Sequence, residues 1–455
     1  MKKSILLLFT IGCALFTFCS QPKTIPESTE GWAMIPQIME NIEDPQFADT
    51  IFNIIDYGAR PDTTFNSLPA IIAAINDCNL HGGGKVVIPK GTYLSRGSVM
   101  LKSHVNLHLE EGARLEFSTN PNDYLPMVLT KWEGTECFNY SPFIYAYQAT
   151  NVALTGKGEI DGNGAAVFNT WKPKEKPGMD RLRQMGNDSI PVYQRTFGDG
   201  WFLRPCMIQF WGCNNVLVED VNIYDSPFWI IHPVYCNNVT VRGVYIDSNN
   251  YNNDGCDPES STNVLIEKVR FNVGDDGIAI KSGRDQDGWR IGQATENIII
   301  RDCHFARWAI TIGSEMSGGV RNIFIEDCKI DSCRNGIYFK SNLDRGGFFE
   351  NLYMRNIEAD ICLWGMVNFR TDYHGYRGGN YPTQFRNITI ENIKCNRVDS
   401  VAIMANGVPE AKLYDITLRN IEVKEAPKAT QMQNVVNLKL ENVVVNGKKV
   451  TQENE

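Results

Sequence analysis

The chain has no basic domain or arm. Asp and Glu outnumber Lys and Arg by 53 to 44, for a formal net charge of −9. That argues against a nucleic-acid partner, which requires a cationic footprint. It does not argue against an anionic ligand, because the local field in a cleft matters more than the total charge. No run beyond the N-terminus is long and apolar enough to cross a bilayer as a helix. Low-complexity tracts are missing too, and 43% hydrophobic with 21% charged residues is ordinary for a folded chain. The cysteines have no zinc-type spacing, and with Cys13 and Cys19 set aside those from Cys78 to Cys395 are odd in number. His104 and His108 lack a third ligand, so they are not read as a metal site. His81-Gly82-Gly83-Gly84 has no Gly-x-Ser-x-Gly elbow beside it and reads as a helix stop.

What is present begins with an export pattern. Met1-Lys2-Lys3 followed by the apolar Ser4 to Phe18 matches a secretory signal, assigned to residues 1–19. Cys13 and Cys19 are both candidates for the lipidated residue of a bacterial lipoprotein. Cys19 is preferred because Cys13 would cut the apolar run short; plain cleavage is the alternative. The expected location is therefore periplasmic or outer-membrane-associated in a Gram-negative cell, with or without a lipid anchor, and otherwise extracellular. Residues 20–50 lack periodicity and read as a tether, and residues 51–447 as one repetitive domain.

An Asn-led strand recurs through that domain. Asn215-Val216-Leu217-Val218, Asn238-Val239-Thr240-Val241, Asn263-Val264-Leu265-Ile266, Asn297-Ile298-Ile299-Ile300, Asn322-Ile323-Phe324-Ile325, Asn351-Leu352-Tyr353-Met354 and Asn387-Ile388-Thr389-Ile390 follow one another, with weaker copies at Asp415 and Asn437. Spacings of about 22 to 36 residues mark a solenoid. Alternation with period two marks strands with one buried face. Asn tolerates a left-handed backbone and can hydrogen-bond its copy in the next coil. The fold predicted is all-β, a right-handed parallel β-helix with a short N-terminal capping helix around Ser67 to Leu80. Asn53 to Ala59 reads as a strand ending in a turn, and Cys303 and Cys328 as core residues stacked in successive repeats. The strand pattern lapses from Asn169 to Leu203 and again from Arg370 to Pro382. The first of these reads as a loop wall beside the active surface.

A second strand pattern carries the chemistry. Asp276-Gly277-Ile278-Ala279-Ile280-Lys281, Trp308-Ala309-Ile310-Thr311-Ile312-Gly313 and Asn335-Gly336-Ile337-Tyr338-Phe339-Lys340 align, and Asp254-Gly255-Cys256-Asp257 fits the same frame. With the isoleucines inward, alternation turns Lys281, Thr311, Tyr338, Lys340 and His232 outward. Asp254 and Asp276 then fall in register on neighbouring rungs about 4.8 Å apart, with Asp275 one residue before. Carboxyl groups that close raise at least one pKa by like-charge repulsion. One protonated and one ionised carboxyl is the arrangement that hydrolyses a glycosidic bond. His232, Lys281, Arg284, Arg307, Tyr338, Lys340 and Arg370 are the candidate substrate-binding residues.

Three segments in order resemble the polygalacturonase group, glycoside hydrolase family 28: Asn252-Asn253-Asp254-Gly255-Cys256-Asp257 through Ser260, Gly274-Asp275-Asp276-Gly277 through Arg284, and Ile312-Gly313-Ser314-Glu315 through Gly319. The resemblance implies inverting hydrolysis of α-galacturonosyl linkages in pectic polysaccharide, without a metal or an organic cofactor. Asp275 would be the general acid, and Asp254 with Asp276 the pair that activates water. Two departures stand out. The family's Gly-His-Gly is here Ala306-Arg307-Trp308, and its Arg-Ile-Lys is Tyr338-Phe339-Lys340. These changes suggest another galacturonate linkage, such as one to rhamnose, and the 169–203 insertion suggests exo action. A pectate-lyase-like β-elimination enzyme would instead want calcium and a lone cationic base. A non-catalytic carbohydrate-binding β-helix would be indifferent to the aspartates.

Overall fold

The computed structural model describes residues 30–451. The expected signal segment, its cysteines and the start of the tether lie outside the described residues. From Ile51 onward the chain winds into a right-handed parallel β-helix with three strands per coil. Like residues stack on like: Val216 pairs with Val239, Val239 with Val264, Val264 with Ile298, Ile298 with Ile323, and Ile323 with Leu352. All six are buried. The β-branched side chains that favour the pleat also fill the interior, so one pattern sets both strand and core.

Each asparagine that heads a repeat has φ between 55° and 58° from Asn215 to Asn351, bending the chain into the strand. The carboxamides then form a ladder. Asn215 donates to Asn151, Asn238 to Asn215, Asn322 to Asn297, Asn351 to Asn322 and Asn387 to Asn351, at 2.8 to 3.2 Å. An amide both donates and accepts, so an axial stack satisfies itself.

The N-terminal end is closed by the helix Leu68–Leu80, which buries Ala70, Ile71, Ala74, Ile75 and Cys78. Gly83, at φ 98°, ends it where a Cβ would lie 2.4 Å from the His104 carbonyl oxygen. The predicted strand over Asn53 to Ala59 is not one: the strand is Ile51–Asn53, and Ile54–Tyr57 is a 3-10 turn. Asn53 accepts from the Ile55 N–H and Gly58 takes φ 94°, which winds the chain toward the cap.

Residues ahead of Ile51 form a strap across the outside of the asparagine face. Met34 and Ile38 pack on Leu265, Ile299, Phe324 and Tyr353. Trp32 lies under the Arg355 guanidinium, 3.8 Å from the ring centroid. The eleven cysteines among the described residues are free and buried, Cys303 and Cys328 included.

Two insertions build on the third face of the solenoid. The antiparallel hairpin Val128–Trp132 and Thr135–Asn139 is one. The other is the expected loop wall, which contains the helix Lys176–Asn187. Pro177, Gly178 and Gly186 hide that helix from a propensity reading. Arg204 anchors the insertion, donating to Glu175 at 3.0 Å and to Asn252 at 2.7 Å.

Candidate active site

The third face is a ladder through Ile231, Cys256, Ile278, Ile310, Ile337 and Val367. Its inward residues fix the register of everything that points out. Asp254 and Asp276 each stand two residues before a ladder position, so the turn preceding the face brings them onto adjacent rungs. A cavity of about 380 Å³ opens above them, lined by Asp254, Asp275, Asp276, Lys281, Arg284, Glu315 and Lys340.

Each of the two in-register aspartates has its own cation. Lys281 Nζ lies 3.3 Å from Asp254 Oδ2, 3.4 Å from Glu315 and 3.8 Å from Asp257, and sits 4.2 Å over the Trp229 ring. Lys340 Nζ donates to Asp276 Oδ2 at 2.7 Å, and the Thr311 hydroxyl donates to Asp276 Oδ1 at 2.7 Å. Burial alone would push the Lys340 ammonium down, but Asp276 outweighs it and raises its pKa. Among the described residues Asp275 has no ion pair and accepts only the Asp276 backbone N–H, at 3.0 Å. Burial first and the Asp276 charge second push its carboxyl up to about 6. Burial also raises Asp254, against the pull of Lys281.

A second charge cluster closes the far wall. Arg284 donates to Glu315 at 2.8 Å. Burial opposes the charge on Glu315, yet Lys281, Arg284 and Arg345 hold it well below the carboxylate range. Arg284 is pushed down to about 9 by burial and by Arg345 and Arg183. A pocket end this rich in cations favours an incoming carboxylate. The hairpin and insertion contribute Glu133, Lys172, Met179 and Arg183 to the lining, with Arg183 paired to Glu133. The Arg370–Pro382 insertion contributes Tyr373 and His374.

The candidate residues divide accordingly. Asp254, Asp275, Asp276, Lys281, Arg284 and Lys340 meet at the cavity. His232 does not. It is fully buried beneath the floor, with Nε2 2.9 Å from Glu259 and Nδ1 accepting from Gln209 at 3.0 Å. Burial lowers its pKa, so it serves as a neutral support. The hairpin covers it: Lys131 pairs with Glu259 at 2.8 Å, which is why an outward position on the strand is not an exposed one. Arg307 is exposed on the turn before the face, outside the cavity lining. Tyr338 and Arg370 are not part of the cavity lining: the Tyr338 ring lies 4.9 Å from Lys340 Nζ and 6.3 Å from the Tyr373 ring, and Arg370 pairs with Asp372 at 2.8 Å. Glu133, Lys172, Met179, Arg183, Tyr373 and His374 had no repeat to reveal them. Their only signal was that the insertions interrupt the strand pattern beside the aspartates.

With that geometry in hand, comparison with known proteins gives a consistent result. Residues 78–444 match the family model described as Glycosyl hydrolases family 28. A probable polygalacturonase of Vitis vinifera is 27% identical over 404 residues, covering 84% of this chain and 75% of that protein. A polygalacturonase of Ralstonia solanacearum is 26% identical, covering 83% and 72%. Among solved structures, a hyperthermoactive exopolygalacturonase from Thermotoga maritima superposes with a TM-score of 0.88 at 35% identity, covering 92% of this chain and 96% of that one.

Proposed function

Because this chain belongs to glycosyl hydrolases family 28 and is a glycosidase that hydrolyses galacturonan-type polysaccharide, we propose that Asp275 is its general acid and that Asp254 and Asp276 orient and activate the attacking water. One observation carries the assignment: of three adjacent carboxyl groups, two are ion-paired and the third is not. Asp276 accepts charge-assisted bonds from Lys340 and Thr311, which suit a group that takes a proton from water. Asp275 is open to the cavity and, at about 6, retains its proton in mildly acidic solution, ready for the leaving oxygen. Water entering from the Asp254–Asp276 side would attack opposite the departing group and invert the anomeric carbon.

Exo action on the chain end is the second part of the proposal. The hairpin turn at Glu133 and the helix residues Met179 and Arg183 line the cavity, and a wall built from them would admit a terminal residue rather than a continuous chain. Arg284 and Arg183 would receive the carboxylate of that residue. The resemblance to a structure described as an exopolygalacturonase supports the same reading. The enzyme is exported on this proposal, with lipidation at Cys19 as its finer form.

The test is product analysis. Incubation with polygalacturonate should release monogalacturonate from the outset with little early fall in viscosity, and proton NMR of the first turnover should show the β-anomer. A spread of oligomers would remove exo action. Absorbance from an unsaturated product would replace hydrolysis with elimination.

A further inference from the structure

The turn that holds the catalytic aspartates continues past them. Asp275 and Asp276 stand three and two residues before Ile278, which pairs with Ile310, which pairs with Ile337, which pairs with Val367. The same turn positions on the following rungs hold Arg307 and Trp308, then Arg334 and Asn335, then Trp364 and Gly365. Three rungs at about 4.8 Å carry this strip roughly 14 Å beyond Asp276. It runs toward the C-terminal coils.

The strip is organised. The Arg334 guanidinium is held between two indole rings, 4.5 Å from the Trp308 centroid and 4.9 Å from that of Trp364. Neither Arg307 nor Arg334 has a carboxylate partner among the described residues, whereas Arg114, Arg183, Arg204, Arg242, Arg284 and Arg345 all do. A protein of net charge −9 thus keeps two neighbouring arginines unneutralised beside its reaction centre. Trp364 is 48% exposed and its neighbour Leu363 41%. Large apolar side chains left in water next to a cleft mark a contact surface.

We propose that Trp308, Arg334 and Trp364, with Arg307 beside them, form a distal binding strip for the anionic polysaccharide that extends out of the cavity. The indole faces offer stacking surface to sugar rings, and the arginines offer cations to successive uronate carboxylates. The rings fix Arg334 before the ligand arrives, so little side-chain freedom is lost on binding. This rests on the cavity being the site of galacturonan hydrolysis and adds to it a preference for long chains.

The experiment compares galacturonate oligomers from two to eight units on wild type, Trp364→Ala, Arg334→Gln and the control Tyr414→Ala, an exposed aromatic on another face. In wild type kcat/KM should rise with length. Each strip variant should lose about three- to tenfold of that rise by the octamer, while the control keeps the wild-type profile. Calorimetric binding of the octamer to enzyme already carrying Asp275→Asn should weaken by the same factor when Trp364→Ala is added. A loss equal at every length, or no loss in rate and binding, overturns the strip. Should wild type turn over no galacturonan while octamer binding still depends on Trp364 and Arg334, the hydrolase reading falls and the strip stands.

Discussion

Two turns of this solenoid stack identical residues rung upon rung and reach opposite results. On the asparagine face a carboxamide meets the carboxamide above it, donates one bond and accepts another. On the turn before the third face a carboxyl meets a carboxyl, and two anions at one rung's separation repel. The rung spacing is the same; the backbone and the side-chain chemistry differ, for the ladder asparagines are left-handed and the aspartates are not. Amides make the repeat self-satisfying and rigid. Carboxylates must be held by lysines reaching in from the outward face, and the one left without a cation is the proposed proton donor. One architecture therefore yields a scaffold where its stacked groups are complementary and the proposed reaction centre where they are not.

The largest test of this contrast is Asp275→Asn. Removing the one carboxyl of the three that has no cation should lower kcat about a thousandfold with KM little changed, as measured on polygalacturonate. Unaltered turnover would show that the lone carboxyl is not the acid. Lys340→Met attacks the other half of the site. It strands Asp276 as a buried, unpaired anion, so stability should fall by about 3 kcal/mol in urea titration, with a drop in kcat alongside.

The asparagine face should answer with stability alone. Asn322, at φ 55°, donates to Asn297 and accepts from Asn351. Asn322→Ala loses two hydrogen bonds and strains the backbone, for about 3 kcal/mol. Asn322→Gly keeps the φ freely and should cost roughly 1 kcal/mol less. Both variants should keep wild-type kcat. Equal losses for the two would mean that left-handed strain is not part of the ladder.

The smallest expected effect is the pH dependence of stability. The Asp275 carboxyl is raised from 3.8 to about 6, so the folded state binds this proton more tightly than the unfolded chain does. Its contribution is fully present below about pH 4 and is lost as pH rises through 6. Asp275→Asn should accordingly raise Tm relative to wild type at pH 7 and show no such gain at pH 4. The rate should follow the same group, with kcat/KM falling above about pH 6.

Wherever a residue belongs to the repeat, its place could be read from the chain. Val264, Ile298 and Ile323 stack as their alternation requires, and Asp254 falls over Asp276 because Cys256 and Ile278 align. The reading failed where something lies on top of the repeat. His232 points outward from its strand as expected but is covered by the hairpin, through the Lys131–Glu259 pair, a contact between residues 128 positions apart that no local period encodes. Arg183 and Tyr373 reach the cavity from segments without periodicity, so their arrival depends on tertiary anchors such as Arg204 to Glu175. Arg307 departs from the resembling family and lies outside the cavity, one rung along the same turn.

The strap that precedes the first strand touches Asn238 through Glu43, then Leu265, Ile299, Phe324 and Tyr353, and reaches Glu391 through Trp32. Those residues lie on six successive coils. A stacked array held only by neighbour contacts can fray one coil at a time from its free end. A belt fastened across six coils couples them, so that the middle of the array must open together or stay shut. Amide exchange in this stretch should therefore proceed as a single cooperative block, and cutting the belt should split that block into separate steps.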